Sequence, residues 1–171
     1  PLPVAHPEQL VEVRMTKMAG ASGNFYASRP VLTDPQWQQL RRQTTVFSGV
    51  FAWYWDQFNT AAAGQAQLVD GLEVSGDYFS VLGLRPSAGR LLTRSDDVTG
   101  CGTPPAVISY PYWQRAFGGS PDAIGHHISL ERQSFEIVGV APKTFSGLEV
   151  GRTFDVAVPL CAEPLLMGEY N

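Results

Sequence analysis

The chain has 171 residues, of which 44% are hydrophobic and 16% charged, and its formal net charge is −4. This length suits one domain, or one domain with two small lobes, and the apolar fraction is sufficient for a buried core. The acidic balance excludes nucleic acid as a partner because phosphate binding needs a basic patch.

Two elements are predicted near the N-terminus. Leu10–Met15 alternates in polarity, which predicts a strand with one mostly apolar face. Thr33 is a capping residue and Pro35 suits a first helical turn, so a helix is predicted to follow and to run to about Gln43. Its buried face is predicted to consist of Trp37, Leu40 and Thr44.

The densest aromatic stretch is Val50–Phe58, and it is predicted to be a strand because aromatic side chains favour a pleated surface. Phe51, Trp53 and Trp55 then share one face, with Tyr54 and Phe58 on the other. A strand that is apolar on both faces is typical of a buried strand, which is the favoured interpretation. The alternative is a surface for a partner or ligand, formed by Phe51, Trp53, Tyr54 and Trp55.

The segment Val74–Arg90 organises the chain around a short helix. Ser75 or Asp77 is predicted to cap its first turn, and Gly83 to end it with a positive φ. Its apolar face is predicted to consist of Tyr78, Phe79 and Leu82. No side chain here is an obvious nucleophile, metal ligand or phosphate cradle, which weighs against an enzyme.

The rest of the chain is predicted to form short strands around one further helix. Strands are predicted at 65–74, 106–108, 128–130, 135–140 and 156–160, with loops at 59–64 and 93–105. Ser109 is predicted to cap a helix that Gly118 ends, with Trp113 and Phe117 largely buried. The hairpin turn at residues 131–133 lacks the Asn-Gly pair that readily adopts positive φ, which leaves its tightness open.

The two cysteines, Cys101 and Cys161, have no further Cys or His at the spacing of a zinc site. Their even number permits one disulfide, but two free thiols are the favoured interpretation, because the sequence does not bring their Cα atoms within bridging range.

Other candidate sites are weak. Asp96 and Asp97 lack the calcium-loop pattern, and a helix cap or solvated loop is the favoured interpretation. His126 and His127 are adjacent on a predicted strand, so their side chains point to opposite faces and cannot readily share a metal. No catalytic constellation and no phosphate-binding loop are present, and we predict no catalytic, cofactor or metal site.

Five segments together carry a resemblance to a known family. They are Leu40–Gly49, Val74–Arg90, Ala106–Gly119, Phe135–Pro142 and Val156–Leu160. In this order they resemble the periplasmic core domain of MacB-like ABC-transporter permeases, which are grouped with FtsX, and most of all the large permeases of acidobacteria. We therefore expect an α+β fold with mixed or antiparallel sheets and three short helices. Residues 1–60 are expected to form part of a porter-like α/β lobe that is incomplete, and residues 61–171 are expected to form an inserted β-rich lobe.

The resemblance implies a non-catalytic, extracytoplasmic (periplasmic) module of an inner-membrane protein. Such a module couples movement of membrane helices to an external partner or substrate, driven by a separate cytoplasmic ATPase subunit. A second permease copy and a periplasmic adaptor are further candidate partners. No apolar run reaches the roughly 18 residues of a membrane span, so this segment is not expected to cross the membrane itself. The alternative function is an extracytoplasmic small-molecule or peptide binding module that uses residues 50–58; a hydrolase ranks last.

Overall fold

The computed structural model describes residues 2–13, 32, 34–43, 45–62 and 65–167. The α-helices among them are α1 (Asp34–Leu40), α2 (Tyr78–Val81), α3 (Tyr110–Phe117) and α4 (Glu163–Leu166). The strands are β1 (Trp53–Ala62), β2 (Gln65–Val74), β3 (Ala88–Gly89), β4 (Pro105–Ile108), β5 (His127–Leu130), β6 (Gln133–Val140) and β7 (Val156–Pro159). The α+β expectation is confirmed, although α4 was not predicted.

All the strands listed belong to one mixed sheet. Its order is β1-β2-β7-β4-β6-β3, and β5 pairs with β6. β2 is parallel to β7 and β4 is parallel to β6, whereas β1–β2, β4–β7 and β5–β6 are antiparallel. β1 therefore lies at one end of this order.

Each face of the sheet carries its own apolar core. On the first face, which we call the α3/α4 face, Phe58, Val69, Ile108 and Val156 are buried together with Leu166 of α4. On the second, the α2 face, Leu72 and Val74 are buried with Tyr78, Phe79 and Leu82. Alternate residues of β7 divide between the two cores, since Val156 and Val158 lie on one and Ala157 on the other. A strand apolar on both faces is thus covered on both.

The central helix has the predicted apolar face but no side-chain cap. Tyr78, Phe79 and Leu82 are 0%, 1% and 1% exposed, and Gly83 has a φ of 67°. Asp77 occupies the predicted N-cap position, but neither predicted side chain caps the first turn: the Ser75 hydroxyl accepts from the Ala52 N–H at 3.0 Å, and the Asp77 carboxylate accepts from Arg94. Both side chains are used in contacts between segments, which prevents them from capping α2.

The N-terminal predictions are only partly correct. Residues 10–13 belong to no strand, and the strand predicted at Leu10–Met15 is wrong there; its last two residues lie outside the described residues. α1 starts near the predicted point but ends at Leu40, three residues early. Trp37 is buried and Leu40 half-buried, while Thr44 is not among the described residues.

The aromatic strand lies further along the chain than predicted. It starts at Trp53 rather than at residue 50, and it continues to Ala62 through part of the loop predicted at 59–64. The cause is its long register with β2, which pairs Trp53 with Val74 and Ala62 with Gln65. The division at residue 60 into two lobes stays a prediction.

The second half follows its local signals closely. Ser109 caps α3 by accepting the Tyr112 N–H at 3.2 Å, and Gly118 ends the helix in the left-handed conformation. Trp113 and Phe117 pack against the core of the α3/α4 face, but both are half-buried, so the prediction that they are largely buried is wrong. Each ring is therefore in contact with the core and also partly exposed to water.

We therefore expect Trp113→Ala to lower the free energy of unfolding by about 2 kcal/mol, below the 3–5 kcal/mol typical of fully buried large aromatic residues. Part of this loss comes from the hydrogen bond that the indole N–H donates to the Ser120 carbonyl at 2.8 Å. Urea denaturation measures it, with exposed Gln114→Ala as the control. A loss equal to that of the control would mean that the contact does not stabilise the fold.

The hairpin turn between β5 and β6 is tight despite its sequence. Glu131 and Arg132 both have positive φ, 47° and 65°, as a type I′ turn requires. One Glu131 carboxylate oxygen accepts from the Asn59 backbone N–H at 2.6 Å and from its side-chain amide at 2.9 Å. The Glu131 N–H donates in turn to the Asn59 carbonyl at 2.9 Å. This contact with β1 compensates for the unfavourable φ values.

Glu131→Ala should therefore cost about 1 kcal/mol of stability, the usual value of a lost hydrogen bond to an exposed backbone group. Glutamine keeps an acceptor oxygen and must adopt the same positive φ as the native residue. Glu131→Gln should therefore lose at most half as much stability as Glu131→Ala. Thermal melts of the two variants measure the difference. Equal losses would show that the Asn59 contact contributes nothing.

Candidate functional site

The four aromatic residues predicted as a surface lie along the start of β1 and on the segment before it. Phe51, Trp53, Tyr54 and Trp55 are all half-buried, whereas Phe58 further along the strand is 1% exposed. Phe51, Trp53 and Trp55 pack on the α2 face. Tyr54 lies on the opposite face, because successive strand residues alternate. The stretch is neither fully buried nor a flat exposed platform.

On the α2 face, Trp53 and Trp55 form an edge-to-face pair with ring centroids 6.2 Å apart. The Arg152 guanidinium lies 4.3 Å from the Trp55 ring centre, within the range of a cation–π contact. The Trp55 indole nitrogen is buried, and no described residue accepts its hydrogen. The two rings are thus held in place by their neighbours and remain partly exposed.

On the α3/α4 face, Tyr54 and Glu73 are cross-strand partners, and the Tyr54 hydroxyl donates to a Glu73 carboxylate oxygen. Glu73 is 1% exposed, and no described residue donates to its second oxygen. Burial, with smaller contributions from the Asp56 and Glu163 charges, raises the pKa of Glu73 to about 8 against the lowering effect of the Tyr54 hydrogen bond. Burial, followed by the Glu73 charge, also raises the pKa of Tyr54. We call Tyr54, Asp56, Glu73 and Glu163 the acidic cluster.

A disulfide and one aspartate connect three separate segments beside this cluster. Cys101 and Cys161 are bonded, with Cα atoms 5.9 Å apart, so the interpretation as free thiols is wrong. The Asp97 carboxylate accepts the Gly76 N–H at 3.0 Å with one oxygen and the Cys161 N–H at 2.9 Å with the other. The loop after β3, the start of α2 and the segment before α4 are therefore fixed to one another.

Asp96 has a structural role, as the helix-cap interpretation predicts. It forms a capping box with Thr93 and a two-pronged ion pair with Arg90, at 2.7 and 2.9 Å. Burial alone would raise the pKa of Asp96, but the hydrogen bonds from Arg90 and Thr93 lower it below its ordinary value. Among the described residues, no group of three or more His, Cys, Asp or Glu side chains could hold a metal ion.

A depression in the surface lies elsewhere, beside α1. It has a volume of about 270 Å³ and is lined by Val13, Leu32, Gln36, Gln39, Leu40 and Gln43. None of the four predicted aromatic residues lines it, and it contains no charged side chain. In the described part of the chain, no helix is long and apolar enough to cross a membrane.

Sequence reasoning missed the residues that give the aromatic stretch its polar surroundings. Glu73 interrupts an apolar strand and could have been noticed as a charge inside a buried segment. Arg152 and Glu163 carry no local signal, because they reach β1 only through the fold.

Comparison with known proteins gives a consistent result. A family model described as "MacB-like periplasmic core domain" matches residues 2–169. No curated protein matches the chain. The fold is similar to the periplasmic region of MacB from Actinobacillus actinomycetemcomitans, with a TM-score of 0.53 and 15% identity over 72% of this chain and 53% of that one. It is also similar to the extracellular domain of the noncanonic ABC-type transporter YknZ from Gram-positive bacteria, with a TM-score of 0.53 and 17% identity over 71% and 59% of the two chains. The chain thus spans less than two thirds of the length of either structure.

Proposed function

The chain belongs to the family of MacB-like periplasmic core domains, extracytoplasmic regions of ABC-transporter permeases, and from this premise we propose that it is a non-catalytic coupling module. In this proposal it moves with the membrane helices of the permease and carries that movement to an external partner or substrate. The permease context implies an ATPase partner; the proposal adds that this ATPase is a separate cytoplasmic subunit whose cycle drives the module.

The observation that carries the proposal is the rigid connection described above. Coupling between distant sites needs an element that moves as a unit rather than deforming. The Cys101–Cys161 bond and the two hydrogen bonds of Asp97 join the loop after β3, the start of α2 and the segment before α4. β2 and β4 both pair with β7, so the same sheet extends from these connections to β1. A force applied at one end of such a body is transmitted to the other.

Nucleotide-driven movement in the full-length permease with its ATPase tests the proposal. A donor dye on Val150→Cys, a position that is 98% exposed, would report energy transfer to acceptor lipids in a reconstituted membrane. We expect the transfer efficiency to change when a non-hydrolysable ATP analogue is added. The change should vanish when the ATPase subunit carries a substitution that prevents nucleotide binding. Equal transfer with and without nucleotide would contradict the proposed coupling.

A second candidate function is an extracytoplasmic binding module that uses Phe51, Trp53, Tyr54 and Trp55. It is favoured by the half-buried rings and by the position of β1 at the end of the strand order. The two functions are compatible, because a coupling module needs a surface that contacts its external partner.

A further inference from the structure

We propose that the outer edge of β1 between Trp53 and Gln57 binds an extended segment of a partner protein, with basic side chains, as an added strand. The proposal rests on the proposed function in one respect, because the segment bound at this edge would belong to the external partner of the coupling module.

The direction of the main-chain groups in β1 follows from two contacts. The Asn59 N–H and C=O bond to Glu131, on the side away from β2. The Ala52 carbonyl instead accepts from Ser75, at the end of β2. Main-chain groups alternate in an antiparallel strand, so those of Trp53, Trp55 and Gln57 point outward, like those of Asn59.

This outer edge is open in the part of the chain that the structure describes. No described residue bonds to the main chain of Trp53 or Trp55 there, and the Gln57 N–H contacts only the neighbouring Asp56 carboxylate, at 2.8 Å. Gln57 is itself exposed. Unpaired groups on an edge strand are the donors and acceptors that an added strand uses.

The open edge is also short, because Glu131 occupies the main-chain groups of Asn59. An added strand can therefore pair from Gln57 toward Trp53 but not beyond Asn59. This defines one register, in which the partner side chains alternate between the two faces of the sheet.

The two faces require different side chains. On the α2 face, Trp53 and Trp55 offer half-buried rings to apolar partner residues. On the α3/α4 face, Asp56 stands beside Glu73 and Glu163, and no described Lys or Arg forms an ion pair with any of the three. A Lys or Arg opposite Asp56 would lie within the roughly 5 Å Cβ separation of cross-strand neighbours. Asp56 and Glu163 are both half-buried, so a positive charge placed opposite Asp56 would be stabilised here.

The negative charge of the acidic cluster favours a basic partner segment over a second copy of the chain at this edge. A second copy paired edge to edge about Trp55 would bring two acidic clusters together, and like charges on neighbouring strands repel. The net charge of −4 adds to this repulsion. A basic segment can form hydrogen bonds with the open main-chain groups and also place positive charge near the acidic cluster. A second copy of the chain can form only the hydrogen bonds.

Two probe peptides test the proposal on the 171-residue chain: acetylated, amidated Gly-Lys-Val-Lys-Val-Lys-Gly and its counterpart with Glu in place of Lys. We expect the lysine peptide to shift the amide NMR signals of Trp53, Trp55 and Gln57. It should bind about fivefold more tightly than the glutamate peptide, which is the upper value for one favourable cross-strand charge pair. Shifts confined to other residues, or equal affinities, would overturn the proposal.

Matched variants separate the edge from general attraction to an acidic protein. Asp56→Asn should weaken lysine-peptide binding about fivefold, while Glu136→Gln removes an exposed charge on β6 and should change it less than about twofold. Gln57→Pro removes an outward N–H and should abolish the shifts, whereas Gln57→Thr keeps it and should not. Two outcomes would contradict the proposal: an equal loss of lysine-peptide affinity in Asp56→Asn and Glu136→Gln, or self-association of the native chain in light scattering. Both can be measured even if Gln57→Pro does not fold. If the peptide experiments contradict strand addition, the proposed coupling function still stands, because nucleotide-driven movement is measured in a separate experiment.

Discussion

Replacing Cys101 and Cys161 together by serine is expected to lower the free energy of unfolding by about 4 kcal/mol. The bond closes a loop with a sequence separation of 60, and the chain-entropy model gives about this value for a loop of that length. The native fold also positions the bridge, because Asp97 holds the Cys161 N–H. The loss should appear as a fall in melting temperature of roughly 10 °C for a chain of this size.

Urea denaturation with and without a reducing agent measures this effect. Reduction should destabilise the native chain by the same amount and leave the double variant unchanged, which serves as the control. If the native and double-variant curves coincide under oxidising conditions, the bond does not contribute to the stability of the domain.

The second large effect is a loss of stability at alkaline pH that Glu73 causes. Burial, together with Asp56 and Glu163, raises the pKa of Glu73 from 4.5 to about 8 in the folded chain. The folded state then binds a proton that the unfolded state releases, so stability falls as pH rises between these two values. The total loss across this window should be on the order of 5 kcal/mol, because each pKa unit between 4.5 and about 8 corresponds to about 1.4 kcal/mol.

Glu73→Gln should remove most of this dependence, because an amide imitates the neutral acid. Its oxygen can accept from Tyr54, and its NH₂ group can donate toward Asp56. We expect the variant to be more stable than the native chain at pH 9 and close to it at pH 5, where the native Glu73 is protonated. Glu136→Gln, at an exposed site, is the matched control and should leave the pH profile unchanged. A native profile that is flat from pH 5 to pH 9 would show that Glu73 is charged in the fold at no cost.

Local signals in the sequence were sufficient for much of the fold. β2 has the predicted bounds, Ser109 and Gly118 delimit α3, and Gly83 ends α2 with a positive φ. These features depend on residues within one or two turns of each other, where side-chain size and backbone preference decide the outcome.

The errors occurred where a distant residue decides. Ser75 and Asp77 are good caps in isolation, but Ala52 and Arg94 bind them instead. The turn at Glu131 has unfavourable residues for its φ values and is supported by Asn59, which is 72 positions away. The disulfide depends on a Cα separation that sequence spacing does not determine. Long-range contacts of this kind have no local pattern.

The candidate site was also only partly predictable, because it depends on long-range contacts. The aromatic residues of β1 were identified from their density, but the acidic cluster and the open edge depend on the register between β1 and β2. That register places Tyr54 opposite Glu73, and Glu163 approaches only through α4. The polar half of the site was therefore beyond sequence reasoning.

The position of the domain relative to the membrane is tested most directly by thiol labelling of the full-length permease in intact spheroplasts. Val150→Cys is exposed, whereas Cys101 and Cys161 are bonded to each other and should not react. A membrane-impermeant maleimide should label Val150→Cys without permeabilisation and leave Cys101 and Cys161 unlabelled until a reducing agent is added. Labelling of Val150→Cys only after permeabilisation, or of the native cysteines without reduction, would contradict an extracytoplasmic coupling module.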